Sequence, residues 1–164
     1  MRYLKRHVLP LAAGLALTFS ATMASAATVV NVDLWDKGAD MPMATGAAYG
    51  TPGLDLSKAT MGMKLSRKSA PAGRVTFHVT NSSKDAIHEM IVMYLQDPTK
   101  PLPYIENENR VDEDRAGDKG EVSELDPGHS GSLTVPLKPG KYLLICNVPG
   151  HYEAGMWAEF TVTK

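Results

Sequence analysis

The chain has 164 residues, of which 43% are hydrophobic and 21% are charged, and its formal net charge is −1 at pH 7. This composition fits a folded domain with a hydrophobic core, and the weak negative charge argues against a nucleic-acid partner. The single cysteine excludes a disulfide within one chain.

The N-terminus has the pattern of an export signal. Several basic residues precede an apolar stretch at 8–19, and small residues at 24–26 form a cleavage motif. We expect cleavage after Ala26, so that residues 1–26 are a signal peptide and residues 27–164 are a single domain. The apolar stretch is shorter than the ~20 residues of a membrane span. The sequence therefore predicts a soluble protein that is exported to a bacterial periplasm.

The remainder of the chain predicts many short strands and little helix. Some segments alternate apolar and polar residues with a period of two, and others are richer apolar runs with β-branched residues. The predicted strands lie at residues 30–34, 61–65, 75–79, 87–95, 130–137, 141–146 and 156–163. Turns containing Gly and Pro separate them, which is typical of an all-β sandwich or a small barrel.

Two segments interrupt the strand pattern. Residues 36–58 are rich in Met, Gly and Pro, and we interpret them mainly as a loop. Residues 97–126 contain ten acidic and four basic side chains, with a short helix over 104–115 as one option. We interpret this second segment as a solvated acidic excursion between two strands. An acidic docking surface for a basic partner is the alternative.

The clearest functional signal is the loop before the last predicted strand. Cys146, His151 and Met156 follow one another at intervals of five residues, so one short loop carries a thiolate, an imidazole and a thioether. Thiolate and thioether suit Cu(I), imidazole suits both oxidation states, and a weak axial thioether is typical of electron-transfer copper. A lone cysteine in an oxidising compartment is otherwise inert or pairs between molecules, and the regular spacing favours a metal instead.

A fourth ligand must come from elsewhere in the chain, and His88 is the leading candidate. It follows a turn at the start of an apolar strand, so it can lie at the same end of the sandwich as Cys146. His129 lies in a predicted turn, and His78 is expected on the wetter face of its strand. We rank His88 first, His129 second and His78 third.

Other kinds of site explain the loop less well. Structural zinc sites rarely use methionine, and a nucleophilic Cys146 paired with His151 would leave the spacing to Met156 unexplained. Four histidines follow the leader, which is too few for the additional copper centres of multicopper enzymes. A mononuclear copper site is therefore the preferred interpretation.

These features resemble the cupredoxins, the small blue copper proteins. The resemblance covers residues 72–164, and the ligand loop is most similar to that of rusticyanin-like bacterial members. Its motifs are Phe77-His-Val-Thr-Asn81, Ile87-His88, Pro139-Gly140-Lys-Tyr142 and Cys146-x4-His151-x4-Met156. The resemblance implies a Greek-key β-sandwich of about seven to eight strands with one type 1 copper ion per chain. It also implies that His88, Cys146 and His151 are equatorial ligands and that Met156 is the axial ligand.

One residue departs from the family pattern. Cupredoxins often have Asn or Ser directly after the first histidine ligand, whereas this chain has Glu89. The backbone N–H of Glu89 can still donate a hydrogen bond to the ligand sulfur, and the N–H of Val148 can donate another. The departure affects the expected side-chain contact to the ligand loop, and hydrogen bonds to the sulfur still predict a positive reduction potential.

The resemblance also implies a function. Four protein ligands leave no open position at the metal, so the protein is expected to transfer single electrons by Cu(II)/Cu(I) cycling and not to be an enzyme. Electrons would pass through the edge of His151 at an apolar patch formed by Val148 and Pro149, with Tyr152 as a further candidate. The expected partner of this monomer is a cytochrome or a periplasmic oxidoreductase that binds transiently.

Copper tolerance or homeostasis with the same site is the alternative function. Met-x-Met pairs suit Cu(I), and the chain has one at Met41 and Met43 and another at Met61 and Met63. The second pair is better explained as core residues on one face of a strand. Whether Met41, Met43 or His129 binds additional copper is left open by the sequence.

Overall fold

Two β-sheets that face each other form most of the protein. The computed structural model describes residues 26–38, 40 and 42–164, so the predicted signal peptide before Ala26 and the predicted copper candidate Met41 lie outside the described residues. The strands are β1 (Thr28–Asp36), β2 (Met61–Leu65), β3 (Ser69–Pro71), β4 (Gly73–Asn81), β5 (His88–Tyr94), β6 (Tyr104–Ile105), β7 (Arg110–Val111), β8 (Asp118–Leu125), β9 (Ser130–Leu137), β10 (Gly140–Ile145) and β11 (Trp157–Thr163). The one-turn helix α1 spans Glu113–Ala116, and a 3-10 turn spans Leu56–Lys58.

The strand order confirms the predicted β-sandwich. One sheet has the order β2-β1-β4-β9, the other has the order β3-β11-β10-β5-β8, and β6 and β7 form a separate hairpin. Most neighbours are antiparallel, but β1 runs parallel to β4 and β3 runs parallel to β11. The register of β8 against β5 shifts twice along the pair. All seven strands predicted from periodicity are present. The strands that were not predicted, β3, β6, β7 and β8, are short or irregular.

The core between the sheets follows the period-two pattern of the strands. On β1, Val30, Val32 and Leu34 point inward and are at most 2% exposed. Phe77 of β4 meets Phe160 of β11 across the sandwich, with ring centroids 5.5 Å apart in an edge arrangement. Aromatic pairs of this kind add about 0.5–1.5 kcal/mol to the burial of their area. The core thus fixes the two sheets against each other and holds the strand ends in place.

Residues 97–126 have more regular structure than the solvated excursion that we expected, although most of their side chains are exposed. They contain β6, β7, α1 and β8, and they bury Leu102 and Val111 against the outer face of the five-stranded sheet. This packing could not be predicted from the sequence, because the few apolar residues of the segment are isolated among charged ones. On β8 only Val122 is buried. The helix considered over 104–115 is limited to one turn, which Gly117 ends with a φ of 82°.

The packing of this segment explains the unusually apolar run of β5. Ile91 and Met93 face residues 97–126, which we call the covering segment. Met90 and Val92 face the main core, and all four residues are fully buried. A strand that is buried on both faces loses its alternation of polar and apolar residues. The five-stranded sheet is therefore covered on both faces at β5.

The N-terminal methionine pairs have different environments. Met61 is buried and Met63 packs against the same core, which confirms the core interpretation of that pair. In the 36–58 segment Met43 is half exposed. No helix in the described part of the chain is long and apolar enough to cross a membrane.

Candidate metal centre

Three strand ends meet at one end of the sandwich. His88 is the first residue of β5, Cys146 directly follows β10, and Met156 directly precedes β11. Because β10 pairs with both β5 and β11, these residues are neighbours in space. The Cys146 N–H donates to the Met156 carbonyl at 3.0 Å, which closes the base of the loop between them.

The loop itself is folded by turns that bring His151 back towards Cys146. The His151 N–H donates to the Val148 carbonyl at 2.9 Å, and the Met156 N–H donates to the His151 carbonyl at 3.0 Å. Gly150 has a φ of 85°, and a Cβ on it would lie 3.0 Å from Met43 Cε. Glycine is favoured at this turn by its positive φ, and the end of the Met43 side chain packs close to it.

Two imidazole nitrogens and one sulfur converge at this end. His88 Nδ1 lies 3.2 Å from His151 Nδ1, and His151 Nδ1 lies 3.4 Å from Cys146 Sγ. The three ligand atoms lie within 4.8 Å of one another, and within the described ranges they form the single such group of three. His88 and Cys146 are fully buried, His151 is 8% exposed, and the neighbouring Met156 is fully buried. This donor set, with two nitrogens, a thiolate sulfur and an adjacent thioether, suits copper.

Burial sets the protonation of the donors in the metal-free protein. It lowers the pKa of His88, although Asp36 opposes the shift, and it lowers the pKa of His151 to about 4, with His88 adding to the shift. Both rings are therefore neutral at pH 7 and have a free lone pair. Burial also raises the pKa of the Cys146 thiol to about 12, against hydrogen bonds from the Glu89 and Val148 N–H groups. Metal binding as a thiolate must therefore release a proton.

Glu89 contacts the ligand loop through both its backbone and its side chain. Its N–H donates to Cys146 Sγ at 3.5 Å, as the resemblance implied. Its carboxylate accepts a hydrogen bond from the Asn147 N–H at 3.0 Å. The departure from the family pattern thus retains a side-chain contact to the loop, in which a carboxylate takes the position of the usual amide or hydroxyl.

Replacing Glu89 with glutamine is expected to change how stability depends on pH. Burial raises the pKa of Glu89 from 4.5 to about 7, with smaller contributions from nearby carboxylates. The folded protein therefore holds a proton that the unfolded chain loses between about pH 4.5 and 7, so the free energy of unfolding falls as the pH rises through that window. Glu89→Gln should remove about 1–2 kcal/mol of this fall, less than the full shift because the group is partly solvated.

Urea unfolding of the metal-free protein from pH 4.5 to 8 measures this difference. Glu106→Gln, which removes an exposed carboxylate of the turn between β6 and β7, is the matched control and should run parallel to the parent. If Glu89→Gln also runs parallel to the parent, the buried carboxylate does not titrate in this window and the prediction is wrong.

The sequence interpretation missed two residues that support the site. Asp36, the last residue of β1, accepts a hydrogen bond from His88 Nε2 at 2.8 Å. It continues the inward-facing series of Val32 and Leu34, so a carboxylate on the core face of a strand was the available signal. Burial acts to raise its pKa, but hydrogen bonds from Ser83 and His88 outweigh this and lower the pKa, so the group is ionised at pH 7.

Asn147 is the second missed residue, and it is 1% exposed. Its side-chain oxygen accepts from the Val111 N–H at 2.7 Å, and its amide donates to the Val111 carbonyl at 3.0 Å and to Glu113 Oε1 at 2.7 Å. The residue that follows Cys146 thereby ties the covering segment to the metal centre. Its position directly after the cysteine was visible in the sequence, but its partners were not.

The other candidate residues lie away from the converging atoms. His129 is exposed in the turn before β9, and the exposed His78 contacts Ser132 Oγ through Nδ1 at 2.7 Å. Tyr152 is 2% exposed beneath the covering segment, so it does not contribute to the surface beside His151. Of the sequence candidates for a fourth ligand, only His88 lies with the loop.

A family model and one sequence relative match parts of the chain. The model of the sulfocyanin (SoxE) domain matches residues 69–164. Auracyanin-B from Chloroflexus aurantiacus is 55% identical over 40 residues, which are 24% of this chain and 17% of that protein. This chain thus matches only a small part of the length of that relative.

Solved structures with the same fold cover most of the chain. Reduced auracyanin from Roseiflexus castenholzii has a TM-score of 0.52 and 19% identity, covering 85% of this chain and 99% of its own. Rusticyanin from Thiobacillus ferrooxidans has a TM-score of 0.52 and 17% identity, covering 84% of this chain and 79% of its own. Auracyanin A from Chloroflexus aurantiacus, described as a "blue" copper protein, has a TM-score of 0.50 and 18% identity, covering 84% of this chain and 100% of its own.

The comparisons and the geometry agree on the kind of centre. The cupredoxin resemblance is confirmed by the family match and by the fold. The converging nitrogen and sulfur atoms match the donor preferences of electron-transfer copper. The cofactor is one type 1 copper ion per chain.

Proposed function

This chain belongs to the sulfocyanin (SoxE) family, and on that basis we propose that it carries single electrons in a bacterial periplasm. The observation that supports this most directly is the convergence of His88 Nδ1, His151 Nδ1 and Cys146 Sγ within 4.8 Å. Residues 1–26 are proposed to be the signal peptide that directs export, and residues 27–164 are proposed to be the mature domain.

We assign the copper ligands to His88, Cys146, His151 and Met156. A bound copper ion would supply a one-electron Cu(II)/Cu(I) couple at this site. Three of the assigned residues are fully buried, so the protein excludes water from the donors. Their strands are fixed by pairing on both sides of β10, so the donor positions change little when the charge at the site changes. A fixed donor geometry keeps the reorganisation of the site small, which suits fast electron exchange.

His151 is the assigned ligand that approaches the surface, because it is the partly exposed one. Beside it lie the exposed Pro149, the half-buried Val148 and the half-exposed Met43. These apolar surroundings let a partner approach closely without the cost of desolvating charged side chains. We propose that a cytochrome or periplasmic oxidoreductase binds there transiently, as is usual for redox encounters with small interfaces. With four protein ligands at the metal, we propose no catalytic reaction.

Copper tolerance is the second candidate function, and the position of Met43 favours it. Its side chain lies against Gly150, next to His151, and is 50% exposed. A thioether at that position could receive Cu(I) from solution. The Met61 and Met63 pair does not support this function, because both side chains pack in the core.

Copper titration of residues 27–164 should distinguish the two functions. For an electron carrier, an intense visible band should saturate at one equivalent of Cu(II), bleach with ascorbate and return fully with ferricyanide. Because Cu(I) would bind any additional thioether site, the titration is repeated with Cu(I) on the parent and on Met43→Leu. More than one equivalent in the parent, reduced to one in the variant, would favour tolerance. The absence of a saturating visible band would contradict both functions.

A further inference from the structure

We propose that Asp36 is a positioning residue of the copper site, which fixes the tautomer of His88 and favours the oxidised state of the metal through its negative charge. The inference rests on the proposed role of His88 as a ligand. It adds a determinant of the reduction potential that neither the ligand set nor the family match contains.

Two hydrogen bonds hold the Asp36 carboxylate beside the His88 imidazole. Its Oδ2 lies 2.8 Å from His88 Nε2, and its Oδ1 accepts from the Gly38 N–H at 2.7 Å. The Asp36 side chain is 8% exposed and that of His88 is 0% exposed. Both oxygens therefore have partners, and little water competes for the contact with the imidazole.

An ionised carboxylate can only accept hydrogen bonds, so it determines which ring nitrogen of His88 carries the proton. The proton resides on Nε2, and the lone pair resides on Nδ1. Nδ1 is the atom that faces His151 Nδ1 at 3.2 Å. The contact thus presents the lone pair to the metal centre before a metal binds. A carboxylate behind a ligating imidazole also raises the basicity of that ligand.

The charge of Asp36 should act on the redox equilibrium as well. It lies behind the imidazole in a region where water is largely excluded, and charges interact more strongly there than in water. A negative charge stabilises Cu(II) more than Cu(I), because the oxidised ion carries the larger positive charge. The carboxylate therefore lowers the reduction potential, in opposition to the dry surroundings and the hydrogen bond to sulfur, which raise it.

The fold brings Asp36 to His88 through a part of the chain that the family match does not cover. The match begins at residue 69, whereas Asp36 ends β1. Leu34 of β1 pairs with Asn81 at the end of β4, and its carbonyl accepts from the Ser82 N–H at 2.9 Å. These contacts hold the end of β1 beside the turn that leads into His88. The N-terminal strand is therefore part of the copper site as well as of the sandwich.

Two measurements test the proposal on residues 27–164. In the metal-free parent, nitrogen NMR of His88 should show the proton on Nε2, and Asp36→Ala should lose this preference. In the copper-loaded protein, Asp36→Asn should reduce the preference for Cu(II) over Cu(I) at least about tenfold, which is a rise of about 59 mV for a one-electron couple. Asp33→Asn is the matched control, since it removes a carboxylate from the same strand on the opposite face, and it should change the ratio less than about twofold.

The outcomes separate this inference from the proposed function. If the parent shows no saturating visible band, the proposed copper carrier fails. If the band is present but Asp36→Asn shifts the potential no more than Asp33→Asn does, the role of Asp36 is overturned and the carrier stands. A proton on Nδ1 of His88 in the metal-free parent also overturns the role, and that measurement needs no variant to fold.

Discussion

Replacing Cys146 with serine is expected to abolish the intense visible absorption of the copper-loaded protein and to weaken copper binding by more than about tenfold. The absorption of a type 1 site arises from charge transfer between the cysteine thiolate and Cu(II), and a serine hydroxyl provides neither the soft sulfur nor a readily formed anion. Cys146 is the single cysteine of the chain, so no other thiol replaces it. Optical and EPR titrations with Cu(II) measure both effects.

A matched histidine variant distinguishes the site from non-specific copper binding. His78→Ala removes an exposed histidine that contacts Ser132 away from the centre, and it should leave the band and its one-equivalent saturation unchanged. His88→Ala should alter the band, because it removes a converging donor. Circular dichroism confirms that each variant is folded. A band that persists unchanged in Cys146→Ser would contradict the assignment of this residue as a ligand.

Replacing Asn147 with alanine is expected to lower the free energy of unfolding by about 2–4 kcal/mol. The side chain of Asn147 pairs both backbone groups of Val111 and also contacts Glu113. Alanine can make none of these hydrogen bonds, and each buried group left without a partner costs about 1–3 kcal/mol. The loss should concentrate in the covering segment, where amide exchange at Val111 should accelerate, while the donor atoms of Cys146 and His151 are retained.

Urea unfolding and hydrogen exchange of the metal-free protein measure these effects. Asn107→Ala is the matched control, because Asn107 is an exposed asparagine of the same segment, and surface changes of this kind are usually within about 0.5 kcal/mol. If the two variants lose the same stability, the three hydrogen bonds of Asn147 do not hold the covering segment in place.

The predictable part of the fold is the part governed by period-two alternation. Strands such as β1, β4 and β9 have one core face and one wet face, so their pattern is visible in the sequence. The covering segment escaped prediction because its buried residues, such as Leu102 and Val111, are separated by turns and charged residues. Packing against an already formed sheet decides its structure, and that interaction has no local signature.

The candidate site also has a part that the sequence predicts and a part that it does not. The loop from Cys146 to Met156 could be predicted because its donors are close in the sequence and their chemistry is distinctive. His88 lies 63 residues from His151 in the sequence. Its selection as the fourth ligand depended on its place at the start of a strand and on the family resemblance. Asp36 and Asn147 could not be assigned, because their roles depend on pairings between distant segments. The assignment of the four ligands remains a prediction, and the Cys146→Ser and His88→Ala variants above test two of the four.

The outer strands of the two sheets affect how copies of the protein meet one another. Exposed sheet edges can add strands from another chain, which is a common route to aggregation. Here β3 is three residues long and ends at Pro71, β9 contains Pro136, and β8 has charged side chains and an irregular register against β5. These features disfavour continuous sheets between molecules. Less pairing through these three edges would leave more of the proposed carrier free to meet a donor and an acceptor in turn.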